Sequence, residues 1–207
     1  GYAVFRDVDA DYAIQLKQAF RRCKAPIQHL LRSYGTYETI QGRDYPTWLV
    51  NRWGADATAA LLHGLIAFTR VERDPELVTY TTQLADGIKA MQVSANGAFL
   101  SWKNWWHAWG NAQKQALASL YILTDDSTCL KAAKQEADTY DIQLLMDGFL
   151  HSWQLSAIEN ANRFPHIAYD VRCLALGLLR ISEVTEDDRY AALAGLAASW
   201  LLGNNAA

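Results

Sequence analysis

An all-α fold follows from three observations. Apolar residues recur at helical spacing along most of the 207 residues, short polar turns interrupt them, and helices apolar all round alternate with helices apolar on one side. Between Ala55 and Phe68, the residues Ala57, Ala60, Leu61, Leu65 and Phe68 follow i, i+3, i+4 steps while Ala59, Leu62 and Ile66 cover the other side, which predicts a helix buried nearly all round. Asp74 then offers an N-cap with Pro75 at the first helical position. Leu77, Val78, Leu84, Ile88 and Met91 form one stripe opposite Thr82, Gln83, Asp86 and Lys89, as in a surface helix. The pair recurs from Asn111 to Leu123, through the turn Thr124-Asp125-Asp126-Ser127, to about Leu145. It recurs again from Ile167 to Ile181, through Thr185-Glu186-Asp187-Asp188, read as a capping box on Thr185, and on from Tyr190 to Leu202.

Asp56, Asn111 and Asp170 taken as equivalent helix starts give spacings of 55 and 59 residues, which suit a helical hairpin with a long loop. Gly64, Ser119 and Gly177 fall at nearly the same offset, and small side chains there are expected to let neighbouring inner helices approach closely. Hairpins are therefore predicted over 54–91, 106–145 and 166–202. A leading outer-type helix precedes them over 9–32, kinked or restarted at Pro26. The whole chain, 1–207, reads as a single all-α domain: an α/α hairpin array forming part or all of an (α/α) toroid, either an open array or a piece of a larger domain.

Composition excludes several classes of function. Nineteen Lys and Arg against 22 Asp and Glu give a net charge of −3, with no basic run longer than Arg21-Arg22-Cys23-Lys24, so nucleic acid is not an expected partner. Charges break every apolar stretch before it reaches the ~18 residues of a membrane span, and no membrane partner is expected. Cys23, Cys129 and Cys173 are far apart and read as small buried hydrophobes rather than as a disulfide framework or metal site; the compartment stays open, with the cytoplasm slightly favoured.

Eight tryptophans are the anomaly, and Trp102, Trp105, Trp106 and Trp109 fall within eight residues. If every inner helix runs in one direction, the long linkers that lead into them share one rim, where sites are usually built. The first linker carries Asp44, Tyr45, Trp48, Arg52 and Trp53. The second carries Trp102, Asn104, Trp105, Trp106, His107 and Trp109, and the third His151, Trp153, Glu159, Asn160, Asn162, Arg163 and His166. Indole faces stack on the C–H faces of sugar rings while Asn, Arg and carboxylate groups bond hydroxyls, so the mixture fits an oligosaccharide. The same tryptophans could equally plug the end of a helical core.

Two short stretches carry a resemblance. Trp109-Gly110-Asn111, leading into an inner helix, is similar to the Trp-Gly start in the six-hairpin glycosidase superfamily. Trp200-Leu201-Leu202-Gly203-Asn204-Asn205 resembles the aromatic-x-Leu-Gly-x-Asn sequence of family 9 glycoside hydrolases, with Ala206 where that family has Pro. The resemblance implies a carbohydrate-active protein, glycoside-hydrolase-like, working by general acid/base catalysis on an oligo- or polysaccharide. The Asp-Ala-Gly-Asp stretch that supplies the family's base is not in this sequence, which leaves a noncatalytic helical binding module, or a fragment lacking its catalytic loops, as the alternative.

Glycoside hydrolysis needs two carboxyl groups about 5–9.5 Å apart. Glu159, among amides, Arg163 and aromatics, is the first candidate and Asp44 the second; Glu38, Asp56 and Asp170 are weaker, since acids near helix starts serve the helix dipole. Substrate binding is expected from Trp48, Arg52, Trp53, Trp102, Asn104, Trp105, Trp106, His107 and Trp109. The histidines lack metal-ligand spacing, so neither a metal nor a cofactor is expected. An exposed inner face would be covered by the rest of a larger domain or by a second copy.

Overall fold

The structure, a computed structural model, describes residues 2–40, 42–50, 54–92, 97–99, 112–142 and 167–203. They are mostly helical, as expected. Helix α1 (Tyr2–Phe5) and α2 (Ala10–Arg22) lead into α3 (Lys24–Leu30), a single 3₁₀ turn, a two-stranded sheet of β1 (Tyr37–Ile40) and β2 (Arg43–Pro46), and α4 (Thr47–Val50). Three helical hairpins follow: α5 (Gly54–Thr69) with α6 (Pro75–Ala90), α7 (Ala112–Thr124) with α8 (Ser127–Glu136), and α9 (Ile167–Thr185) with α10 (Asp188–Leu201).

Each hairpin turn is written in the same residues. The first helix of each pair ends on a threonine, Thr69, Thr124 or Thr185, whose hydroxyl donates to the carbonyl four residues back at 2.9, 3.0 and 2.8 Å. Each second helix starts behind an aspartate N-cap: Asp74 accepts from the Glu76 N–H, Asp126 from Thr128 and Asp187 from Arg189, at 3.1, 2.9 and 3.1 Å. In the later two turns one residue, Asp125 (φ 59°) or Glu186 (φ 56°), takes the left-handed conformation between threonine and aspartate. The capping box expected on Thr185 is thus corrected. Thr185 closes α9, and Asp187, two residues on, caps α10.

The leading helix breaks at Cys23 rather than at Pro26, which lies three residues into α3, where a missing N–H costs no intrahelical bond. The linker over 34–53 holds structure that the sequence pattern did not show, since β1 and β2 pair antiparallel from Tyr37 opposite Pro46 to Ile40 opposite Arg43, with Gly42 (φ 77°) in the turn. Beyond Glu136 the second hairpin widens into a π-helical turn, Ala137–Asp141.

The core runs through the three hairpins. Leu62 and Leu65 of α5, Leu84 and Ile88 of α6, Leu117 of α7, and Leu178 and Ile181 of α9 are all buried, each such side chain contributing roughly 1.5–3 kcal/mol by leaving water. Helix α5 packs on α6 and α7, α7 on α8 and α9, and α9 on α10. Gly177 of α9 has a definite steric reason: a Cβ there would lie 2.5 Å from Lys114 Cγ. Gly64 has none of this kind, so close helix approach accounts for only one of the two glycines.

Helix direction departs from expectation. Within a hairpin the partners are antiparallel, because only residues 70–74 join α5 to α6 and residues 125–126 join α7 to α8. Lys89, in the last turn of α6, reaches the Thr128 hydroxyl in the first turn of α8 at 2.8 Å, and the Gln92 amide reaches the Ala132 carbonyl at 2.8 Å. His63, past the middle of α5, has Nε2 3.2 Å from the carbonyl of Ala112, the first residue of α7. Both contacts hold only when α7 runs against α5. Were the two parallel with Ala112 beside His63, a rise of 1.5 Å per residue would carry Thr128 more than about 20 Å from Lys89. The first turns of α5 and α7 therefore lie at opposite ends rather than on one rim, and these two helices do not share a direction. The reason is the length of chain after α6, long enough for Gln92, Gly97 and Phe99 to climb along α8 before α7 begins.

Candidate functional site

The tryptophan-rich segment, residues 100–111, is bounded by two described anchors, Phe99 and Ala112, and both are fixed at the end of the bundle where α8 finishes. Phe99 is fully buried and its N–H donates to Glu136 Oε1 at 3.1 Å. The Gln92 side chain donates to the Gly97 carbonyl at 2.7 Å and to that of Ala132 at 2.8 Å. Gly97 (φ 72°) is held so close to α8 that a Cβ would stand 2.6 Å from the Gln135 carbonyl oxygen. On the other flank, Lys114 in the first turn of α7 places Nζ 3.2 Å from Glu136 Oε2, and neither side chain has any exposed area. Glu136 thus serves both flanks at once: one oxygen holds the backbone leading into the segment, the other holds the helix leading out of it.

The electrostatics of this pair follow from burial. An isolated ammonium or carboxylate away from water is prohibitively costly, so each requires the other, and Glu136 needs the Phe99 N–H besides. The pair holds the ends of a segment in place. Neither Lys114 nor Glu136 was among the residues the sequence pointed to. A signal existed, for Lys114 interrupts the apolar face of α7, and Glu136 lies three and four residues after Ala133 and Ala132 on the buried face of α8.

The first linker enters α5 at the other end: Gly54 lies nine residues before His63, which faces Ala112, a rise of about 14 Å. Asp44 is exposed on β2 and accepts the Thr39 hydroxyl across the two-stranded sheet. Glu38, opposite Tyr45, is also exposed. Trp48, expected to face a ligand, is 5% exposed and belongs to the core with Tyr45. Such a core role was the competing reading of these aromatics, and for Trp48 it is what the packing shows. Asp44 is therefore not brought together with the flanks of the tryptophan segment. Asp56 and Asp170 fall in the first turns of α5 and α9.

The other expected site residues, Arg52, Trp53, Trp102, Asn104, Trp105, Trp106, His107, Trp109 and Glu159, lie outside the described residues, as do His151, Trp153, Asn160, Asn162, Arg163 and His166. Cys129 and Cys173 are buried as expected, whereas Cys23, at the break between α2 and α3, is exposed; burial pushes the Cys129 thiol up to about 12, far from a reactive thiolate. Among the described residues, no group of three or more His, Cys, Asp or Glu is arranged to hold a metal ion, and no helix is long and apolar enough to cross a membrane.

What the described residues define is a mostly helical protein of paired antiparallel helices, with both ends of a tryptophan-rich segment fixed by one buried ion pair. No protein-family model and no curated protein sequence matches the chain.

Proposed function

We propose that the chain is a carbohydrate-active protein, related in kind to the glycoside hydrolases, that takes an oligo- or polysaccharide at the segment 100–111. One observation carries the reading. Trp102, Trp105, Trp106 and Trp109 are interleaved with Asn104 and His107 in a stretch whose two flanks are tied to the same carboxylate, Glu136. Fixed flanks reduce the freedom a binding segment loses when a ligand orders it, and clustered indoles supply broad faces for sugar rings. Glu159 is the acid assigned to general acid/base chemistry, since Asp44 is attached at the far end of α5 and Glu136 is committed to Lys114. The likeness to the glycoside hydrolases rests on the hairpin unit and on the two short sequence stretches; the toroid of that superfamily is no part of the proposal.

The noncatalytic binding module is the second reading, and it is favoured by the separation of Asp44 from the segment's flanks. The two divide on a simple pair of measurements. Tryptophan fluorescence is titrated with a panel of soluble oligosaccharides, and release of reducing ends is followed on the sugars that bind. Saturable quenching abolished by Trp105→Ala with Trp106→Ala, together with hydrolysis abolished by Glu159→Gln, supports the enzyme. Binding without hydrolysis supports the module. No response to any sugar removes both.

A further inference from the structure

The third hairpin repeats the second at an offset of 61 residues. Thr124, Asp125 and Asp126 fall on Thr185, Glu186 and Asp187, and the buried Leu117, Leu120, Cys129 and Ala133 fall on the buried Leu178, Ile181, Tyr190 and Ala194. Against that agreement, two differences stand out. Ala118 and Ala137 are both 0% exposed, yet their counterparts Leu179 and Ala198 are exposed, Leu179 by 43%. Ala118 lies one turn from Lys114, whose stem crosses Gly177 of α9, so Ala118 is on the side of α7 that α9 covers, and the same side of α9 is open. Secondly, Lys131, Lys134, Gln135 and Asp138 of the second hairpin become Ala192, Gly195, Leu196 and Ser199 in the third. Three of the four polar side chains are replaced by Ala, Gly and Leu and the fourth by a short Ser, with Leu196 left 61% exposed. That is the composition of a covered face rather than a solvated one.

The exposed face of α9 also carries an ordered charge pattern. Arg172, Leu176, Leu179 and Glu183 are all exposed and follow one another at steps of four, three and four, so they share a face, with a cation at one end, an anion at the other and two leucines between. The order is complementary to itself when reversed. We infer that this edge, α9 with α10, is a dimer interface at which a second copy of the chain docks about a two-fold axis with its α9 antiparallel. Leu176 then meets the partner's Leu179, and Arg172 meets the partner's Glu183. Glu183 already pairs with Arg180 at 2.7 Å within its own chain, and across the axis it is shared between two arginines. Gly195, one turn before the exposed Ala198 on α10, flanks the contact and leaves room for close helix approach. The interface stands independently of the carbohydrate reading, because it uses neither the tryptophan segment nor Glu136.

Sedimentation equilibrium across the micromolar range tests it. The chain is expected at twice its 23.2 kDa mass. Leu179→Glu weakens association by about 30-fold or more, as loss of a central apolar contact does, and Leu176→Glu, three residues before it on the same face, acts in the same direction. Both positions are exposed, and an unchanged circular dichroism spectrum establishes that the variants are folded. Arg172→Glu weakens the dimer, and adding Glu183→Arg restores it, because the swap exchanges the charges across the axis. Val8→Glu, beside the exposed Phe5 and Tyr12 near the start of the chain, leaves the dimer intact. A monomer at every concentration overturns the inference. So does a dimer that Val8→Glu dissociates and Leu179→Glu does not.

Discussion

Lys114 Nζ and Glu136 Oε2 stand 3.2 Å apart with neither side chain exposed to solvent, and the other Glu136 oxygen accepts the Phe99 N–H at 3.1 Å. Removing one member breaks this buried pair, so Lys114→Met alone is expected to cost about 3–5 kcal/mol. Combining it with Glu136→Gln, which keeps an acceptor for Phe99, is expected to recover most of that loss. Urea unfolding of the two single variants and the double variant checks this by a double-mutant cycle.

Gly177 is the second half of the same arrangement. A Cβ there meets Cγ, Cδ and Cε of Lys114 at 2.5, 2.7 and 2.8 Å, and the lysine cannot withdraw without leaving Glu136. Gly177→Ala is expected to destabilise by about 1–3 kcal/mol, whereas Gly64→Ala, with nothing within 4 Å, is neutral or stabilising within a helix. The two midpoints in a urea titration separate the cases.

Gly97→Ala tests the other flank. It must tolerate both φ 72° and a carbonyl 2.6 Å from its new methyl group, so a loss of about 1–3 kcal/mol is expected. Hydrogen exchange at Phe99 quickens, since its N–H bond to Glu136 depends on that close approach.

The aspartate caps make stability depend on acid. The Asp126 carboxyl is held down at about 2, chiefly by the Thr128 hydroxyl and also by the Thr128 N–H. The folded state therefore binds its proton less readily than the unfolded chain, whose Asp titrates near 3.9. The contribution is fully present above the unfolded value and is lost as pH falls toward 2. Asp126→Ala is expected to cost about 1 kcal/mol near neutral pH and to flatten the fall of Tm in that acid window.

His63 gives a second window, nearer neutrality. Burial lowers its pKa below 6.5, and the charge of Arg180 acts the same way against the raising influence of the Ala112 carbonyl. The unfolded chain therefore takes up a proton first as pH falls below 6.5. Stability is full above that value and declines below it until the folded-state histidine protonates as well. Thermal melts of the wild type and His63→Gln between neutral and mildly acid pH are expected to differ in slope only there.

Much of the fold was legible in the residues. Asp74 before Pro75 marks the start of α6, and the alternation of all-round and one-sided apolar helices marks the hairpins, because both are local properties of the chain. Helix direction was not legible. A linker as long as 93–111 can start its next helix at either end, and only the contacts of Lys89, Gln92 and His63 decide. Asp187 caps α10 in place of Thr185 because the left-handed residue Glu186 shifts the helix start by two, which the letters do not show. Of the candidate site, the tryptophan cluster was visible from composition, but the buried role of Trp48 and the pairing of Lys114 with Glu136 are tertiary facts. A lysine on an apolar face is a prompt to look for a buried acid, without naming which.

Indole N–H resonances test the central claim most directly. The chain has eight tryptophans, each giving one signal in a ¹H–¹⁵N spectrum assigned by single substitutions. Titration with oligosaccharides is expected to shift the signals of Trp102, Trp105, Trp106 and Trp109 in a saturable way while those of the core Trp48 and of Trp200 stay in place. A panel of sugars that moves none of the four clustered indoles contradicts the account.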